Sequence, residues 1–115
     1  MKPNTAKTKG RDTENSFVEF LHGKGIRSAE RRRLTGSYDK GDIAGWADVC
    51  VEVKSGAVLS ISGWLKELAA EVVNAKAKLG FIVVRPKGKP NPSDWFVVMP
   101  VEEFMELVKE AGYYG

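Results

Sequence analysis

Cysteine and histidine are almost missing from this chain: Cys50 and His22 are the single examples in 115 residues. A lone cysteine excludes an intrachain disulfide framework, and one of each excludes a Cys/His zinc site within one chain. Long apolar runs are missing too. Nothing approaches the ~20 residues that a membrane-spanning helix needs, and the first residues are polar and basic rather than signal-like. A cytoplasmic chain with no membrane association is the expectation. No internal repeat is visible. What is present, 43% hydrophobic and 29% charged residues, is ordinary for one soluble globular domain. At this length a core buries about two-thirds of the unfolded surface.

The formal net charge is +3 and unevenly spread. Residues 1–40 hold ten Lys and Arg against five Asp and Glu, whereas residues 41–115 hold eight against ten. From charge alone, a side facing a polyanion such as nucleic acid and a merely solubilising tail are equally good accounts. Residues 1–11, with Lys7, Lys9 and Arg11, read as a flexible basic arm, and residues 12–115 as the single folded domain. Arg27, Arg31, Arg32, Arg33 and Lys40 complete the set expected to contact phosphates. Such contacts give salt-dependent binding that is largely independent of base sequence.

Hydrophobic periodicity predicts an α/β architecture, a mixed central sheet flanked by helices. Asp12 or Thr13 caps a helix to about residue 22, closed at Gly23, with Phe17, Val18, Phe20 and Leu21 as its buried stripe. Residues 26–34 read as an irregular strand and 35–41 as a glycine-bounded loop. Residues 42–54 read as a hairpin turning at Trp46-Ala47-Asp48. Residues 60–79 carry Trp64, Leu65, Leu68, Ala69, Val72, Val73 and Ala75 near helical spacing, stopped by Gly80. Phe81-Ile82-Val83-Val84 suits a strand buried on both faces, parallel to residues 48–54 across the helical crossover. Residues 95–99 form another strand. Residues 101–111 form a closing helix with Phe104, Met105, Leu107 and Val108 inward and Glu102, Glu103, Glu106 and Glu110 solvated. Trp46, Trp64 and Trp95 are expected in the core or at a dimer contact rather than as base-stacking platforms.

The chemistry concentrates in the hairpin. Asp48-Val49-Cys50-Val51-Glu52-Val53-Lys54 alternates strictly, with valines on one face and Cys50, Glu52 and Lys54 on the other. A turn at residues 46–48 sets residues whose numbers add to 94 opposite each other, so Asp42 faces Glu52 with Cβ atoms ~5 Å apart. Two carboxylates that close repel unless a cation lies between them, and hard oxygen ligands suit Mg²⁺ or Mn²⁺. The Val53 carbonyl can add a third oxygen, and Lys54 an ammonium on the same face. Such a set suits phosphodiester hydrolysis. The cation activates water and neutralises added charge, and Lys54 orients or deprotonates water or neutralises the phosphate.

Glu14 falls three, four and seven residues before Phe17, Val18 and Leu21, on the inward side of the first helix. It either caps the first turn or points into a polar site. Asp48 is four strand residues, ~13 Å, from Glu52 and belongs to no shared site. Glu-x-Lys on a strand is also an ordinary exposed face with an ion pair. The Gly41-Asp42-Ile43 turn before it, the strand exit at Ser55-Gly56 and the inward Glu14 favour the metal site.

The set Glu14, Gly23-Lys24-Gly25, Arg31-Arg32-Arg33, Gly36-Ser37, Gly41-Asp42-Ile43 and Glu52-Val53-Lys54-Ser55 resembles the PD-(D/E)XK nucleases. Within that superfamily it is most similar to the archaeal-type Holliday junction resolvases and their phage-encoded relatives, over residues 9–85. The resemblance implies a restriction-endonuclease-like fold and dependence on Mg²⁺, with Mn²⁺ able to substitute. It also implies a homodimer cutting two strands of branched or four-way-junction DNA, in a host cytoplasm if phage-encoded. It makes Asp42 and Glu52 metal ligands, Lys54 the catalytic lysine, Glu14 the helix-borne acid and Ser37 a loop serine near the scissile phosphate. Two positions depart from the pattern. Gly41 stands where the motif's proline usually sits, and the long helix lacks the glutamine these nucleases often carry, which bears on substrate type. A repair or restriction-type nuclease of the same fold, and a non-catalytic nucleic-acid-binding protein on this scaffold, are the alternatives.

Overall fold

Two apolar segments build the centre of the molecule. The alternating valines form β3 (Val49–Ser55), and the continuous apolar run forms β4 (Leu79–Arg85). They pair in parallel, Val49 with Leu79 through to Ser55 with Arg85, across the helix α2 (Ile61–Ala75), as expected. β5 (Phe96–Val98) adds antiparallel to β4, so the three-stranded sheet runs β3-β4-β5. This is a computed structural model, and it describes residues 5–33, 38–56 and 60–115, with side chains from residue 10 onward.

Strand alternation sorts the core into two layers. Val51, Phe81 and Val83 point to one face and pack with Phe17 and Leu21 of α1 (Thr5–Gly23). Cys50, Ile82 and Val84 point to the other and pack with Leu68 of α2. Each such side chain, removed fully from water, contributes about 1.5–3 kcal/mol before entropy is counted. Trp46 meets Phe81 edge-on at 5.9 Å, and Trp95 stacks on Phe17 at 6.4 Å, so both sit at the margin of the first layer. Among the described residues no helix is long and apolar enough to cross a membrane.

Several boundaries differ from expectation. Residues 5–11, expected as a flexible arm, are the opening turns of α1. Ala6, Lys7, Lys9 and Arg11 are good helix formers, and they outweigh the single Gly10. The irregular strand expected over 26–34 shrinks to β1 (Glu30–Arg31), because residues 26–29 turn out of the helix. Its partner is β2 (Ile43–Ala44), antiparallel, Glu30 opposite Ala44. The expected ladder between residues 42–44 and β3 is therefore replaced by a ladder to β1. Gly45 (φ +80) enforces this: a side chain there would run into the Ser28 carbonyl.

α2 stops at Ala75, where Lys76 adopts a left-handed cap, and residues 79 and 80 join β4 instead. Val73, placed with the helix's apolar set, is exposed. α3 (Val101–Glu110) forms where expected, but Phe104, Met105 and Leu107 do not point into a core: Phe104 is 52% exposed. Val108 alone of the four is half-buried, and Glu103, expected in solvent, is half-buried as well.

Candidate metal centre

β3 delivers Glu52 and Lys54 to the face covered by α2. Glu52 is 6% exposed, and the half-buried Lys54 holds its Nζ 3.7 Å from Glu52 Oε2. The same ammonium lies 3.7 Å from Glu67 Oε2 and 5.5 Å from the centre of the Trp64 ring. Both of those partners stand on α2, so the helix holds the lysine by opposite charge and by the ring quadrupole.

Asp42 arrives by another route than a hairpin ladder. Gly41 has φ +94, and a Cβ there would meet Cys50 Sγ and Val51 O at 3.0 Å. Proline, fixed near φ −65°, has no access to that conformation, which accounts for glycine at this position. The Asp42 N–H then donates to Val51 O (2.8 Å), and the Asp42 carbonyl accepts from the Arg32 N–H (2.8 Å). Its carboxylate accepts from the Val53 N–H (2.7 Å). Asp42 thus stitches β1 to β3, with its carboxyl group within hydrogen-bond reach of Glu52. The ladder expected to set Asp42 opposite Glu52 does not form, and these two bonds to β3 bring the Asp42 carboxyl group near Glu52 instead. In an extended strand a residue's C=O points the way its N–H does, so the Val53 carbonyl also faces the Asp42 side.

Two residues that sequence reasoning missed complete the cluster. Glu71 stands on α2 three residues after Leu68 and is 3% exposed. One carboxylate oxygen from each of Asp39, Glu52 and Glu71 lies within 4.8 Å of the others. Asp39 is exposed and belongs to the loop entering Gly41. Its Oδ1 accepts from the Gly41 N–H (2.9 Å), and its carbonyl accepts from Asn74 Nδ2 on α2 (2.9 Å). The placement of Glu71 had a signal, since it lies on the helix's apolar stripe just as Glu14 does on the first helix. Asp39 had none, because loop closure places it.

Crowding without solvent sets the electrostatics. Burial, the hydrogen bond with Glu71, and the charges of Asp42 and Glu71 push the Glu52 carboxyl up to about 10, against the opposing Lys54. Asp42 and Glu71 are raised as well, chiefly by burial. Glu14 is half-buried and lies near Asp42 and Arg31. Burial and the Asp42 charge raise it to about 7, with Arg31 pulling the other way. With the acids ionised, Glu52 Oε1 and Glu71 Oε2 are buried without a hydrogen-bond donor. Cys50, pushed up to about 12 by burial, is a core thiol here.

The basic residues flank this cluster. Arg31 and Arg32 are half-buried on and after β1, and a cleft of about 460 Å³ is lined by Glu30, Arg31, Arg32, Arg33 and Ala44. Arg11, Arg27, Arg33 and Lys40 are exposed. Lys7 and Lys9 lie in α1, but their side chains, and all of Ser37, fall outside the described residues. Asp48 sits at the far end of β3, away from the acids, with φ +66. No family model, curated protein or solved structure matches this chain.

Proposed function

We propose that the chain is a metal-dependent DNA endonuclease of restriction-endonuclease-like fold, hydrolysing phosphodiesters in branched DNA with the four-way junction favoured. The observation that carries this reading is the buried Glu52 carboxyl group set against Asp42 and Glu71, with the Lys54 ammonium 3.7 Å away. A carboxylate oxygen buried without a donor costs several kcal/mol unless a proton or a cation meets it. The donors are all oxygens, which fits Mg²⁺ or Mn²⁺ and not a thiol-seeking or imidazole-seeking ion. The order helix, three strands, helix, strand, with a helix on each face of the sheet, supports the same fold reading.

Asp42, Glu52 and the Val53 carbonyl would hold the divalent ion, which when bound would supply a water of lowered pKa and charge neutralisation at the phosphoryl oxygens. The protein's own part is positional. The Val53 N–H fixes the Asp42 carboxylate, so its free oxygen keeps one direction. Glu67 and Trp64 hold the Lys54 ammonium beside Glu52, where it donates a hydrogen bond to water or steadies a phosphate oxygen. In the reaction a water oxygen bonds to phosphorus as the P–O bond to the sugar breaks, and the departing oxygen takes up a proton. The Arg31–Arg33 cleft supports docking of the DNA backbone beside the acids, since Arg31 reaches Glu14 electrostatically. A homodimer belongs to this reading. One chain this small positions one centre, and exposed Phe96, Val97, Val101 and Phe104 offer an apolar contact surface.

The test is separation of cutting from binding. Asp42→Ala and Glu52→Ala should each abolish cleavage in Mg²⁺ or Mn²⁺ while junction affinity in Ca²⁺ is kept. Unchanged cleavage in either variant overturns the assignment. A gel comparing four-way, flap, splayed and linear duplexes tests the substrate, and equal cutting of linear duplex favours a repair or restriction-type nuclease.

A further inference from the structure

Away from the acids, β3 begins beside a second cleft, of about 320 Å³, whose lining includes Arg32, Trp46, Asp48, Val49, Ala75 and Ala77. Arg32 also lines the Arg31–Arg33 cleft, so the two are neighbours. The turn that shapes the second cleft is firmly held. Gly45 seats against the Ser28 carbonyl, and the Val49 N–H donates to the Trp46 carbonyl (3.2 Å). The Asp48 carbonyl accepts from the Lys78 N–H (2.8 Å) and the Leu79 N–H (3.0 Å). These bonds keep Asp48 at φ +66, a left-handed conformation that few residues with a side chain adopt.

Two polar groups at this cleft are unspent. The Asp48 carboxylate is exposed and enters no ion pair or hydrogen bond among the described residues. Trp46 meets Phe81 edge-on and is half-buried, and its Nε1–H donates to nothing among the described residues. Arg32 and Asp48 cancel in charge, so the cleft lacks the positive excess that draws phosphates, and the carboxylate repels them. An indole, a planar guanidinium, a free donor and a free acceptor suit a flat neutral ring that carries donors and acceptors of its own. The volume is at the low end of small-ligand clefts, ~300–1,000 Å³, which admits one such group rather than a stack.

We propose that this cleft is a subsite for one unpaired nucleobase, stacked against Trp46 and Arg32 and donating its N–H groups to Asp48. Guanine fits best, because its N1–H and N2–H lie side by side and match the two oxygens of a carboxylate. The adjoining Arg31–Arg33 cleft takes the phosphates on either side of that base. The subsite rests on the proposed nuclease reading and adds a means of choosing branched DNA. A base at an interrupted stack leaves it at less cost than one inside a continuous duplex.

The experiment measures the affinity of the full chain in Ca²⁺ for a four-way junction with one unpaired guanine at the branch. The same junction with hypoxanthine or an abasic residue at that position is the comparison, and circular dichroism confirms the fold of each variant. Wild-type protein should favour guanine over the abasic residue about tenfold, within the range that stacking gives. It should favour guanine over hypoxanthine, which lacks the N2 amino group, about fivefold. Asp48→Gly, which suits φ +66, should abolish the second preference, and Trp46→Phe, which keeps a ring against Phe81, should reduce the first. Equal affinity for guanine and either comparison residue in the wild type overturns the subsite. So does a preference for guanine over hypoxanthine that survives in Asp48→Gly. Both results leave the nuclease reading standing if wild-type protein cuts the junction in Mg²⁺ and Asp42→Ala does not. A wild type that binds no junction removes both.

Discussion

Glu14 shows how burial turns a single carboxyl group into a link between pH and stability. It titrates at about 7 in the fold against an ordinary 4.5, so folding takes up a proton between those values. The stability it lends is complete below about 4.5 and is lost as pH rises through about 7. Glu52, pushed up to about 10, continues the same loss over a wider range. Metal-free protein should therefore melt at a higher temperature at pH 5 than at pH 8. Mg²⁺ or Mn²⁺ should raise the melting point at pH 8 and do little at pH 5, because protonated acids bind no cation. Scanning calorimetry at the two pH values, with and without metal, checks this. A melting point that rises with pH in the absence of metal would contradict it. Lys54→Ala belongs to the same scale. It should cut the single-turnover cleavage rate about 10²–10⁴-fold while leaving junction affinity in Ca²⁺ intact. Equal loss of binding would move Lys54 from the chemistry to the docking surface.

At the level of elements, α2 has two duties on one face: Leu68 closes the second core layer, and Glu71 and Glu67 reach the acids and Lys54. Leu68→Ala should cost about 2–5 kcal/mol by urea unfolding, the usual range for a buried leucine. It should also weaken Mn²⁺ binding, because the helix that carries Glu71 loses its anchor. Destabilisation with unaltered metal affinity would show that the acids are placed by β3 and the Asp39 loop alone. The elements divide in how legible they were. β3, β4 and α2 follow from strict alternation, an unbroken apolar run and helical spacing, and all three form. β1 and β2 do not, since two-residue strands leave no periodic pattern and depend on Gly45 seating against Ser28. α3 shows the reverse failure: its apolar stripe is real, but little of the chain covers it.

Considered whole, the molecule carries Arg11 on α1, Arg31 on β1 and Arg32 and Arg33 in the segment after it, beside an acidic centre at one end of the sheet. Neutralising Arg31, Arg32 and Arg33 together should weaken DNA binding and flatten its dependence on log salt by ~0.9 for each phosphate no longer neutralised. Metal affinity should not change. A preserved salt slope would place the DNA elsewhere. The apolar residues on β5 and α3 make a separate forecast. Sedimentation at working concentration should show a dimer, and Phe104→Glu should convert it to monomer without altering the melting point of the isolated fold. A monomeric wild type would count against paired incision.

By itself, the sequence determined the two core layers and the sharing of one strand face by Glu52 and Lys54, because period-two and period-3.6 patterns are local. It also placed Glu14 inward by the same reasoning. Only the tertiary structure decided that Asp42 reaches Glu52 through Val51 and Val53 rather than through a ladder. It alone brought Asp39 and Glu71 to the same acids. Those contacts join segments about 10 to 35 residues apart, and no local period encodes where a loop or a helix face will close.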